Sequence, residues 1–290
     1  MTFENIIAEA QTSIEANGYI DLPERMKIWN ACGELAYSLA ENAENDHDVH
    51  PKTKQVTTPL KKRVRLGELC VRKVLPLWEE KFAAIAKHED GGYAYLTHPN
   101  REPEPYELSQ YNTHMMNLIT SYLYSDTTKE VLKTEMEKSY KLNRYLIVGS
   151  VNFLFVRMVS FLATRVLYDE VLFHSQALMR QYEEHKDYIL TSDDLDNECY
   201  YDVERCAAYA YATYYDEYGE EIVDEEKWTE FWRWYIDEAV PSVLFADTIE
   251  ELPKQDESIW QSKTITQSDE GEIITYVREN HQGKEVMKRK

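Results

Sequence analysis

The chain has 290 residues, with 53 acidic side chains against 32 basic ones and a formal charge of −21. Glycine and proline number nine each, where average usage would give about 35 together; so few turn residues disfavour a sandwich or barrel and favour long helices with few loops. The negative charge repels nucleic-acid backbones and anionic lipid surfaces and attracts basic proteins, so neither nucleic acid nor membrane is the expected partner.

In chain order, Phe3, Ile6, Ile7, Ala10 and Ile14 predict a short amphipathic helix over 3–16 that ends near Asn17-Gly18. Asp21 is the expected cap of a second helix reaching about Ala43, with Pro23 in its first turn. A polar loop follows over 44–57. Thr58-Pro59 then opens a third helix, whose apolar face runs from Leu60 to Ile85 and whose interior carries Pro76. A turn-rich connection spans 90–105, and helices are expected over 106–125 and 127–141.

The most apolar stretch lies between Asn143 and Ser175. Arg157 and Arg165 interrupt it, which fits a central helix covered by its neighbours better than a membrane span. Helices over 177–190 and 196–218 follow. A last one begins at Asp224 behind Glu225 and Glu226 and is interrupted near its end by Pro241. Beyond Asp247, KTITQ, SDEG and EIITYV read as a β-hairpin, and the polar tail from Asn280 as a frayed end. The expected fold class is all-α: a multi-helix bundle over 1–247, then a small C-terminal β-hairpin and tail over 248–290.

Cys32, Cys70, Cys199 and Cys206 show neither CxxC nor zinc-type spacing, and are expected to be reduced and buried. MTFENIIAEAQTS lacks the basic and apolar regions of a secretion signal, so the expected location is the cytoplasm. No phosphate-binding loop, dinucleotide fingerprint, HExxH or GxSxG is present. The cluster ENDHDVH around His47 and His50 matches no standard metal site, and Glu170 with His174 lacks the paired three-residue spacing of a di-iron site. No catalytic residue, metal or cofactor is therefore expected.

Charge is distributed unevenly. Residues 183–226 hold 16 Asp or Glu against Lys186 and Arg205, together with eight tyrosines. Carboxylates beside rigid phenols suit a basic protein partner. The candidate partner-binding residues are Asp193, Asp194, Asp196, Glu198, Tyr201, Asp202, Tyr214, Tyr215, Asp216, Glu217, Glu220 and Glu221. Several of the tyrosines must nevertheless pack inward, since they cannot all share one helix face. A basic island between Lys52 and Lys73, eight cations against Glu68, is expected to pair internally with the acidic segment or with a partner's carboxylates.

Two stretches, CVRKVLPLWEEKF over 70–82 and KWTEFWRWYIDEAVPSV over 227–243, resemble the motifs of an all-helical bacterial immunity family, the fifth among those of polymorphic toxin systems. The resemblance implies a non-enzymatic protein, made by the toxin-producing cell and its kin, that binds and blocks a cognate toxin domain. Two alternatives stay open on the residues alone: a helical enzyme or small-molecule sensor with a pocket near 90–105, and a scaffold subunit.

Overall fold

Thr2 begins the first helix, its hydroxyl accepting from the Asn5 amide at 3.4 Å. That helix, α1 (Phe3–Asn17), stops at Gly18, whose φ of 82° is a left-handed conformation and whose amide returns to the Ile14 carbonyl. Asp21 caps α2 (Leu22–Ala31) through the Glu24 amide at 3.2 Å, with Pro23 in the first turn as expected. The computed structural model describes residues 2–33, 56–86, 105–124, 126–143, 151–168, 202–215, 221–253, 260–268, 271–280 and 283–289. The expected loops at 44–57 and 90–105 lie wholly or largely outside these residues, and the expected helix at 177–190, the ENDHDVH cluster, Glu170, His174 and Cys199 lie outside them entirely.

The remaining elements are α3 (Thr58–Ala86), which runs through Pro76, α4 (Pro105–Leu123), α5 (Lys129–Asn143), α6 (Val151–Tyr168), α7 (Val203–Ala212), β1 (Thr213–Tyr215), β2 (Glu221–Val223), α8 (Glu225–Trp234) and α9 (Val240–Leu244). A three-stranded antiparallel sheet of β3 (Trp260–Ser268), β4 (Gly271–Asn280) and β5 (Gly283–Arg289) completes the chain. The class is the expected one, a helical bundle with a small β element at its C-terminal end.

Helix α6 is the hub, packed against α3, α4, α5 and α7. Leu154, Phe155, Val156, Met158, Val159, Leu162, Val166 and Leu167 are all buried, and each larger apolar side chain contributes about 1.5–3 kcal/mol by leaving water. The apolar run thus serves helix packing; no helix among the described residues is long and apolar enough to cross a membrane.

Between α8 and α9 the helix widens into one π turn, Tyr235–Ala239. Pro241 has no amide to donate backward, and just before it the Val240 amide reaches five residues back to the Tyr235 carbonyl. The expected interruption is therefore a register change that keeps Tyr235, Ile236 and Ala239 buried.

Three expectations need correction. The second helix, expected to reach about Ala43, ends at Ala31, and Gly33 just beyond it takes a left-handed φ of 117° that no helix continues through; residues 34–43 lie outside the described ones. The helix expected over 196–218 is, in its described part, only Val203–Ala212; Thr213–Tyr215 and Glu221–Val223 pair as antiparallel strands with Tyr214 opposite Ile222. Thr-Tyr-Tyr and Glu-Ile-Val are strand formers flanking a connection that holds Gly219, and the Asp224 amide closes the hairpin on the Ala212 carbonyl at 3.0 Å. The tail expected to fray pairs as β5 with β4, placing Arg278 opposite Glu285 and Glu279 opposite Lys284. Its sequence lacks apolar alternation, and main-chain pairing along seven consecutive positions aligns it.

Gly67 shows how closely the helices approach. A Cβ there would stand 2.8 Å from Leu162 Cδ1, 3.0 Å from Arg165 Nη1 and 3.2 Å from Val203 Cγ1. In an open helix interior, Gly67→Ala would add about 0.5–1 kcal/mol of stability. Here overpacking reverses the sign, and we expect a loss of about 1–3 kcal/mol in urea unfolding; a variant more stable than the parent would contradict the close contact.

Candidate partner-binding surface

The surface begins from a buried electrostatic floor. Glu204, in the first turn of α7, accepts from both terminal nitrogens of Arg165 at 2.7 and 2.8 Å, and both side chains are fully buried. Arg165 Nη1 also donates to the Arg63 carbonyl at 3.1 Å, and the Trp29 indole donates to Glu204 at 3.4 Å. Burial opposes the Arg165 charge, but the Glu204 carboxylate outweighs it and raises the guanidinium's pKa above its ordinary value. Asp202 caps α7 through the Arg205 amide at 2.7 Å and pairs with buried Arg25 at 2.8 Å.

One helical turn further on, rings close over a third cation. The Arg205 guanidinium lies 5.2 Å from the Tyr209 ring centroid, 5.3 Å from Trp228 and 5.9 Å from Tyr19. Tyr209 meets Trp228 edge-on at 4.7 Å, and Trp228 meets Trp232 at 5.9 Å. Tyr211 packs toward Phe231 and donates its hydroxyl to Glu230 at 2.6 Å. Tyr209 and Tyr211 therefore join α7 to α8 and, among the described tyrosines of this stretch, are the ones that pack inward.

At the end of this platform the hairpin turns outward. Tyr214 is 43 % exposed, Ile222 38 % and Val223 40 %, whereas Thr213 beneath them is buried. Tyr214 and Ile222 are cross-strand partners and so share one face. Asp224 caps α8 through the Glu226 and Lys227 amides at 3.0 Å, and Glu225 and Glu226 lie exposed beside the hairpin. An apolar and phenolic tip rimmed by carboxylates has the composition of a protein-binding site.

Of the sequence-derived candidates, Tyr214 stands on this tip, and Tyr215 and Glu221 face each other in the hairpin backbone. Asp193, Asp194, Asp196, Glu198, Tyr201, Asp216, Glu217 and Glu220 lie outside the described residues. Asp202 is a correction. It is only 7 % exposed, because capping α7 and neutralising Arg25 both draw it inward. Glu204, counted in the same acidic stretch, is likewise internal. Ile222 and Val223 were missed, although a β-branched pair among carboxylates was the available signal.

The described cations of the basic island find partners within the chain, mostly outside the acidic segment they were expected to pair with; Lys52 and Lys54 lie outside the described residues. Arg65 and Arg72 each pair with nearly buried Glu68 at 3.0 Å, and the Thr120 hydroxyl donates to the same carboxylate at 3.2 Å. Arg63 donates to the Gly33 carbonyl at 2.9 Å, and Lys73 sits over the Trp234 ring at 4.5 Å. Among the described residues, no group of three His, Cys, Asp or Glu could hold a metal.

Three of the four cysteines are described, and all three are buried and free of disulfides. Burial pushes the Cys32 thiol up to about 12 and those of Cys70 and Cys206 well above their ordinary value. Burial and the bond to Glu230 push Tyr211 up to about 12, and burial raises Tyr235 well above its ordinary value. Each group keeps its proton longer when folded, so the unfolded chain ionises first. Stability is thus complete below the ordinary thiol value of 9.0 and declines as pH rises through the folded values near 12. Thermal melting followed from pH 8 to 11.5 should show Tm falling above pH 9; a flat profile would contradict the burial of these groups.

No curated protein matches the chain, and no solved structure matches it. One family does, described as Immunity protein Imm5, over residues 7–89 and 105–242. The match spans most of the helical bundle and includes both stretches whose resemblance was noted above. With three-quarters of its length so matched, the chain belongs to the Imm5 family of immunity proteins.

Proposed function

We propose that this immunity protein neutralises a basic cognate toxin by covering the toxin's working surface with the β1–β2 hairpin and the acidic chain on either side of it. The observation that supports the reading is the exposed trio Tyr214, Ile222 and Val223, held at the end of a rigid, ion-paired platform within the most acidic part of the sequence. Asp193, Asp194, Asp196, Glu198, Tyr201, Tyr215, Asp216, Glu217, Glu220 and Glu221 supply the surrounding charge and phenols in this reading; Asp202 does not take part. Toxin domains that act on nucleic acid are commonly basic, so long-range attraction speeds encounter and the aromatic tip supplies the desolvated contact. The protein acts by binding, without catalysis, in the cytoplasm of the cell it protects.

Two variants separate the parts. Asp216→Lys/Glu217→Lys/Glu220→Lys/Glu221→Lys reverses the acidic charge carried between Tyr215 and Ile222 in the sequence, and Tyr214→Ala/Ile222→Ser removes the tip. Each should weaken binding by about 10- to 100-fold, and each should fail to rescue growth of cells expressing the cognate toxin. Both should melt with the wild-type transition. If both protect as well as wild type, the proposed surface is wrong.

A further inference from the structure

Beyond residue 242, where the family match ends, the chain leaves α9 and runs through 245–253 without helix or strand. Asp247, Thr248, Glu250, Glu251 and Pro253 are exposed, yet the main chain of this segment is gripped. Just before it, Lys62 Nζ donates to the Leu244 carbonyl at the end of α9 at 3.1 Å; within it, the Tyr124 hydroxyl donates to the Ile249 carbonyl at 3.0 Å. Arg65 donates to the Glu250 carbonyl, and Arg72 donates to the Pro253 carbonyl at 2.8 Å.

These donors form a prepared row. Lys62, Arg65 and Arg72 fall on one face of α3, at offsets of three and ten residues. Glu68 lies between the two arginines and orients both. Lys61 sits 4.4 Å over the Tyr124 ring and steadies the phenol. Ile249 packs against the hydrophobic core, and Phe245 meets the Phe3 ring of α1 edge-on at 5.7 Å. Donors that take carbonyl oxygens read the path of a backbone and ignore which side chains it carries.

We infer that this face of α3, with Tyr124, is a receptor groove for an extended chain, and that residues 245–253 are a latch lying in it that fastens the C-terminal sheet to the helical bundle. The bundle's core is built from α1 to α9, so the latch opens without unfolding it. Segments held by a few exposed hydrogen bonds open at low cost while a packed core stays closed.

A glutamate-specific protease tests this on the full chain. It must cut after Glu250 or Glu251 to release the fragment that begins at 251 or 252, and it needs several residues detached to do so. Tyr124→Phe removes one of the three grips and leaves the Glu68 ion pairs intact. Arg65→Gln/Glu68→Gln/Arg72→Gln removes the other two without leaving a buried charge alone. Each should release the fragment about tenfold faster than wild type, while the bundle's helical melting transition is unchanged. Release at the wild-type rate from both variants would overturn the latch. So would faster release that came only with a lowered melting transition, because the segment would then belong to the bundle's own cooperative unit.

Discussion

The fold depends on one buried contact, the two-pronged pair between Arg165 and Glu204. It joins α6 to α7 and, through the Arg63 carbonyl and the Trp29 indole, draws in α3 and α2. Burying either charge alone is prohibitive, and breaking such a pair costs about 3–5 kcal/mol, so both partners must be in place together. An apolar α7, rich in alanine as it is, could slide along α6 at small cost. The ion pair gives it one register. Arg25 with Asp202 fixes its first residue as well, and α7 passes directly into β1, so the direction in which the hairpin leaves the bundle follows from these two pairs.

The helices were legible because their signals are local. Asp21 and Asp224 cap where a short acceptor before a helix should, Gly18 ends α1 in the conformation glycine tolerates, and the apolar run of α6 marks the hub. The candidate surface was legible only in part. Nothing local separates Asp202 and Glu204 from the other carboxylates of the acidic stretch. Their partners, Arg25 and Arg165, lie 177 and 39 residues away along the chain, and a charge pattern carries no distance information. The hairpin was hidden by Tyr209 and Tyr211, whose alanine-spaced helix runs straight into strand-forming residues without glycine or proline to mark the change.

The stretches that carry the family resemblance are largely interior. Cys70, Val71, Val74 and Leu75 line α3, and Phe231, Trp232, Tyr235 and Ile236 line α8 and the π turn. A family recognised by such residues is recognised by its platform. In the reading proposed above, that platform displays the binding hairpin, and the toxin is distinguished by exposed side chains that packing leaves unconstrained. The basic residues of α3 show the same division. Charge that reads as a binding patch in sequence is spent holding Glu68, the aromatic rings and the carbonyls of the chain's own C-terminal segment.

The most direct test is amide hydrogen exchange of the protein alone and in complex with its toxin. The account predicts that new protection gathers over residues 213–226, while α6 and the first turn of α7, already slow in the free protein, hardly change. Protection confined to other parts of the surface, with 213–226 exchanging as fast in the complex as out of it, would contradict the claim that the ion-paired platform exists to present this hairpin.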